Sequence, residues 1–161
     1  MPVVLIIGCG DVGRRVAAGE RAAGETVMAL ARSTPSAARL GALGLHVVHG
    51  DLDEPGTLAG LPTREARVYY FAPPPSFGTT DPRLRNFLAA IAPDALPARI
   101  VLISTSGVYG DCHGEWVTEE RAPQPDADRA RRRLDAEQAL RRWGERYGVA
   151  VVILRVPGIY G

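Results

Sequence analysis

Six short runs rich in apolar residues recur along the chain: Val3 to Ile7, Thr26 to Ala31, Leu45 to His49, Arg67 to Ala72, Arg99 to Ser104 and Val149 to Leu154. The first is wholly apolar and has no alternation, which suits a strand buried on both faces of a parallel sheet. Helical stretches lie between the runs. Arg14 to Ala23 has Gly24 placed to end it. Ser33-Thr34-Pro35 reads as a cap with proline in the first turn of a helix reaching about Leu43. Asp53 is placed to cap a short helix beginning near Pro55. Asp81-Pro82 starts a helix through about Ala92, with Leu84, Phe87, Leu88 and Ile91 on one face. The last helix runs from about Asp128 to Arg146, with Ala136, Leu140, Trp143 and Tyr147 as its apolar stripe and Gly148 at its end. Pro73-Pro74-Pro75 is a stiff break, and Asp111 to Asp128 reads as a surface loop. Strands alternating with helices through right-handed crossovers predict an α/β doubly wound parallel sheet, strand order 3-2-1-4-5-6.

The first strand runs straight into Gly8-Cys9-Gly10-Asp11-Val12-Gly13, a G-x-G-x-x-G. Strand, glycine turn and helix in that order make a dinucleotide-binding fingerprint. Gly8 permits the tight turn, Gly10 lets a pyrophosphate approach the backbone, and Gly13 lets the helix pack against the strand. The helix N-terminus offers free N–H groups to the phosphates. The alternative is a glycine-rich turn in an ordinary α/β protein.

The second strand ends in Ala31-Arg32-Ser33, where a carboxylate would bind the ribose 2′-hydroxyl of NAD. A guanidinium and a hydroxyl suit a 2′-phosphate instead. The expected cofactor is therefore NADP in preference to NAD, with Arg32 as the main contact and Ser33 as helper; the competing reading is a plain surface arginine. Gly50-Asp51-Leu52-Asp53 after the third strand lies where adenine would be held. Phe71, Ala72 and Pro73, ending the fourth strand, belong to the same expected binding set. Thr105-Ser106-Gly107-Val108-Tyr109 opens from the fifth strand, where open α/β sheets place their ligands.

Composition narrows the partners. The chain has 161 residues, 46% hydrophobic and 23% charged, with a net charge of +1. Such a balance gives no global field for nucleic acid or an acidic membrane surface. The basic cluster from Arg129 to Arg133 reads as a solvated helix face. The apolar N-terminus is expected to be a strand and not a secretory signal, so two cysteines make no disulfide framework, and Cys9 reads as a space-filler. His46 and His49 lack a third ligand and read as structural. A cytoplasmic protein with a small-molecule substrate, no metal, no nucleic acid and no membrane partner is expected.

GCGDVG, GDLD, STSGVYGD and LRVPGIYG together resemble the extended short-chain dehydrogenase/reductase superfamily, in its NAD(P)-dependent epimerase/dehydratase group. The resemblance covers the whole chain and implies a Rossmann domain, a C-terminal substrate domain and transient hydride transfer. It places the family's catalytic hydroxyl at Thr105. Ala136-Glu137 anchors the next helix, putting the family's catalytic tyrosine and lysine at Arg129 and Arg133. Both are missing, and G-x-G-x-x-G replaces the usual G-x-x-G-x-x-G; these departures resemble the atypical subgroup. An always-charged arginine cannot exchange the proton. Arg133 is thus expected to hold a ribose or phosphate, and Tyr109 is the candidate substitute acid/base. The implied substrate domain would begin about where residues 1–161 end, so a truncated copy or a fragment is expected. In the resembling family the helices after the fourth and fifth strands form a dimer interface. Here Leu84, Phe87, Leu88, Leu140 and Trp143 are the candidates for such a homodimer patch, or else they cover the sheet. Three readings follow: an NADP-dependent oxidoreductase or epimerase/dehydratase acting on a sugar nucleotide or small carbonyl or alcohol, a catalytically inactive NADP(H)-binding sensor or scaffold, and a remnant that binds nothing.

Overall fold

A computed structural model describes residues 3–159. Its six strands are β1 (Val3–Ile7), β2 (Thr26–Ala31), β3 (His46–His49), β4 (Arg67–Tyr70), β5 (Arg99–Thr105) and β6 (Ala150–Val156). All are parallel and ordered β3-β2-β1-β4-β5-β6, as the alternation of runs predicts. Four helices connect them: α1 (Asp11–Ala22), α2 (Thr34–Ala42), α3 (Pro82–Ala90) and α4 (Asp128–Tyr147). β3 starts one residue later than expected and β4 stops two earlier, at Tyr70. β5 and β6 run on to Thr105 and Val156, in register with each other over their whole length.

The unbroken apolar run of β1 has a simple cause. Val4 and Ile6 face one layer, packed with Ala17 of α1 and Leu40 of α2. Leu5 and Ile7 face the other, with Leu84, Phe87 and Leu88 of α3 and Leu140 of α4. A strand with helices on both sides has no solvent face, so it carries no polar alternation. The expected caps are present at two helices. Ser33 Oγ accepts from Ser36 N–H at 3.3 Å, and Asp81 Oδ1 accepts from Leu84 N–H at 3.1 Å. Gly148 ends α4 in the left-handed region, φ +68°.

Two expectations are corrected, and of the two readings of the apolar faces of α3 and α4 the sheet-covering one is observed. Asp53 does not cap the one-turn 3₁₀ helix Pro55–Leu58, whose cap position is Glu54; its carboxylate pairs with Arg83 instead. The Arg129–Arg133 cluster is not a solvated face throughout. Arg129 and Arg131 are exposed, but Arg132 is buried and donates to Gly78 O at 2.8 Å, while half-buried Arg133 donates to Ile103 O at 3.3 Å. Four arginines within five residues must span more than one side of a helix. Leu84, Phe87, Leu88 and Leu140 are buried inside the chain and Trp143 half-buried, so these residues cover the sheet and offer no free patch. The end of LRVPGIYG, Tyr160 and Gly161, lies outside the described residues.

Candidate functional site

The glycine turn sits at the C-terminal edge of the sheet, where β1 hands over to α1. Gly8 has φ +87°, and a side chain there would run into the backbone of Phe71 and Ala72, just past β4. Two constraints therefore require glycine: the left-handed backbone and the close passage of the chain leaving β4. At Gly13 an added Cβ would stand 3.1 Å from Gly8 O and 3.3 Å from Ile6 Cγ2, so glycine there sets how closely α1 approaches β1. Gly10 is different. Nothing lies within 4 Å of the position its Cβ would take, so the turn opens there onto free space. Gly10 N–H donates to Gly8 O at 2.9 Å, and Gly10 O accepts from Arg14 N–H. The first-turn N–H groups of Asp11, Val12 and Gly13 have no acceptor within the helix by its geometry.

A groove of about 380 Å³ extends from this turn across the ends of β2, β3 and β4. Its lining includes Gly8, Cys9, Gly10, Arg32, Asp51, Leu52, Phe71, Ala72 and Pro73. Nine residues expected from the sequence are thus brought together from four separate segments. Asp11, Val12 and Gly13 do not line it; they belong to the helix start. Ser33 does not line it either, because its hydroxyl caps α2. Ser36, one turn further on, does. A dinucleotide fits this chemistry: open space above Gly10 for a pyrophosphate, N–H groups beside it, and Arg32 and Asp51 in the same lining. When bound, a nicotinamide cofactor supplies hydride transfer. Among the described residues no group of His, Cys, Asp or Glu side chains could hold a metal ion.

Arg83 also lines the groove, and no motif marks it. It stands in the first turn of α3. Its Nε and Nη2 donate to the two Asp53 oxygens at 2.7 Å each, and Nη1 donates to Pro73 O at 3.1 Å. Asn86 Nδ2 donates to Leu52 O at 2.7 Å. α3 therefore ties the loop after β3 to the loop after β4. The Arg83 hydrogen bond holds the Asp53 carboxyl below its usual range, opposed by slight desolvation and aided by the charges of Arg83 and Arg32. The sign follows from linkage. A depressed folded value gives a contribution complete above the unfolded value of about 3.9 and lost as the pH falls through the lower folded one. The Arg83→Ala variant will therefore titrate Asp53 at a higher pH than the wild type, followed by NMR of its carboxyl carbon. An unmoved midpoint would show that the pair is weak in solution.

Thr105 and Tyr109 lie elsewhere. Thr105 Oγ1 accepts from Gly107 N–H at 3.1 Å and starts the one-turn 3₁₀ helix Ser106–Tyr109. Tyr109 Oη accepts from Arg155 Nη1 at 2.9 Å, and the same guanidinium lies 4.8 Å from the tyrosine ring centre. Arg155 also donates to Glu137, from Nη2 at 2.7 Å and from Nε at 3.1 and 3.2 Å. Glu137 is fully buried and accepts from Ser104 Oγ at 2.5 Å. These hydrogen bonds hold the Arg155 guanidinium well above its ordinary value, against desolvation. Tyr109 and Arg155 line a separate cavity of about 550 Å³ with Ser106, Cys112 and Arg141; it shares no residue with the glycine groove. Sequence reasoning used Glu137 only as an alignment anchor and did not assign this network. Its one available signal was a glutamate at an inward position of α4, on the same side as Ala136 and Leu140.

Arg133 does not line the glycine groove. Burial lowers its pKa, with the charge of Asp81 opposing. Asp81 is itself buried, which raises its pKa against the hydrogen bond from Leu84. Tyr70 Oη and Asp81 Oδ2 are buried without a hydrogen-bond partner, and burial drives the Tyr70 hydroxyl well up.

The TrkA-N domain family matches residues 4–76, the part that carries the glycine turn and most of the groove. No protein of curated function matches the sequence. Among solved structures, a candidate NAD-dependent epimerase/dehydratase from Methylobacillus flagellatus is similar at 28% identity with a TM-score of 0.74, covering 99% of this chain and 55% of that one. UDP-glucose 4-epimerase from Thermus thermophilus, in complex with NAD, is similar at 24% identity with a TM-score of 0.78, covering 95% and 54%. UDP-glucuronic acid 4-epimerase from Bacillus cereus, in complex with NAD, is similar at 20% identity with a TM-score of 0.78, covering 99% and 57%. The resemblance drawn from the motifs thus extends to the fold, and the chain spans little more than half the length of these structures.

Proposed function

We propose that this chain is the nucleotide-binding part of an NAD(P)-dependent oxidoreductase of the epimerase/dehydratase type, acting on a sugar nucleotide or a small carbonyl or alcohol, with NADP preferred. The observation that carries the reading is the glycine turn opening at Gly10 into a groove also lined by Arg32 and Asp51. In this reading residues 1–161 form one Rossmann domain and the substrate is held largely by a further C-terminal part. The setting is the cytoplasm; among the described residues no helix is long and apolar enough to cross a membrane. A homodimer is part of the reading. Thr105 is the hydroxyl assigned to the reacting oxygen, and Tyr109 the assigned proton carrier.

A second reading, an NADP(H)-binding sensor or scaffold without chemistry, is favoured by one specific feature. Arginines occupy the positions of the family's tyrosine and lysine, and the Tyr109 hydroxyl is engaged by Arg155. Turnover of a nucleotide sugar by the loaded protein separates the two.

Titration of the purified chain with NADPH and NADH tests the shared premise. The expected result is tighter NADPH binding, lost on replacing Arg32 with alanine, which weakens NADPH about tenfold and NADH little; one charge-assisted contact to phosphate is worth about that much. Equal weakening of both nucleotides would remove Arg32 from the 2′-phosphate.

A further inference from the structure

We propose that the cavity between α1 and α2, lined by Arg14, Ser36 and Arg39, receives the 2′-phosphate of the adenine dinucleotide and sets the selectivity together with Arg32. The inference rests on the nucleotide-binding reading above and assigns a further part of that site.

Charge is the first argument. The glycine groove carries four charged side chains, Arg32, Arg83, Asp51 and Asp53, two of each sign. Arg83 is committed to Asp53 by two hydrogen bonds of 2.7 Å. A groove balanced in this way offers little net attraction to a phosphomonoester dianion.

The adjoining cavity has the opposite character. It measures about 550 Å³ and is lined by two guanidinium groups, Arg14 and Arg39, and by no carboxylate. Both arginines are exposed. Arg14 is only loosely paired, 3.6 Å from Asp11, whose other oxygen is taken by Arg15 at 3.0 Å. Arg14 is therefore free to turn to a stronger anion. Two guanidinium forks on one small anion match phosphate geometry well.

Position is the second argument. Cys9, Gly10 and Ser36 line both the groove and the cavity, so the two spaces meet along that line. A dinucleotide with its pyrophosphate over Gly10 and its adenine toward Asp51 puts the adenosine ribose between them, over the end of β2. Ser36 marks the junction there. A 2′-substituent passing Ser36 enters the space flanked by Arg14 and Arg39, whereas a bare 2′-hydroxyl stays short of it.

The test is calorimetric titration of the wild type, the Arg32→Ala variant and the Arg14→Ala/Arg39→Ala double variant with NADPH, NADH and 2′,5′-ADP. Both cavity arginines are exposed, and circular dichroism melts check that the fold is kept. The double variant is expected to weaken NADPH and 2′,5′-ADP about tenfold and to leave NADH within about twofold, as two solvent-screened pairs would. A double variant that keeps the wild-type preference for NADPH, while the Arg32→Ala variant loses it, overturns the cavity and leaves the reading standing. Equal losses for NADPH and NADH overturn the cavity likewise. A wild type that binds neither nucleotide, or both equally, overturns the reading and the cavity with it.

Discussion

Replacing Glu137 with alanine will destabilise the chain by about 3–5 kcal/mol, the cost of leaving one member of a buried ion pair without its partner. Glu137 has no exposed surface and Arg155 very little. Three Arg155 contacts and the Ser104 hydroxyl converge on the carboxylate, while Arg141, at 3.8 Å and more exposed, adds little. With Glu137 gone the Arg155 guanidinium stays in a largely dry position with only Tyr109 to accept from it. Urea unfolding followed by circular dichroism measures the effect. Two companions separate pair from packing. Glu137→Gln keeps the size and an acceptor, and should cost less. Replacing Glu137 and Arg155 together with methionine should also cost less than the single alanine, because no charge is left buried. A loss below about 1 kcal/mol for the single variant would mean that water reaches Arg155 and takes over. The network matters for function because it joins the ends of β5 and β6 to α4, the region that presents Thr105 and Tyr109.

Gly10→Val will abolish nucleotide binding while lowering stability only by the cost of a poorer N-cap residue, about 1 kcal/mol. The expected loss is about 100-fold or more, equivalent to removing two charge-assisted hydrogen bonds to phosphate. Gly10 has φ −79° and ψ −150°, outside the left-handed region, and an added Cβ would meet no atom of the protein within 4 Å. A side chain there projects toward what enters the groove. Gly8→Ala makes the contrast. It forces a non-glycine residue to φ +87° and drives a Cβ into the Ala72 backbone, so it should lower stability as well as binding. Calorimetric titration and thermal melts on the two variants read both quantities. Gly10→Val protein that binds NADPH as the wild type does would show that the pyrophosphate does not lie on this turn.

The groove was largely legible because its parts follow from local rules. A strand-to-helix turn must use glycine where the backbone bends and where a phosphate approaches. Loops at the C-terminal edge of a parallel sheet converge by topology, so Arg32, Asp51 and Phe71 could be placed together before any contact was known. Ser33 shows the limit. A hydroxyl at that position serves a helix cap or a ligand equally well, and the cap at Ser36 N–H is what the fold uses. Arg83 shows another limit. Its spacing from Asp53 is 30 residues, and no periodicity relates the two.

The sequence by itself determined the strand order, the layering of helices on both sheet faces and the place of the glycine turn, since each depends on periodicity, caps and crossover handedness. Tertiary structure decided which charges pair across separate segments. It committed Asp53 to Arg83, buried Arg132, turned Arg133 toward β5 and closed Glu137 over Arg155. It also turned the apolar faces of α3 and α4 onto the sheet. The physical reason is common to all of these. Propensity and burial act on neighbours along the chain, whereas a guanidinium finds its carboxylate through space, at the end of a flexible side chain and across segments that the fold alone brings together.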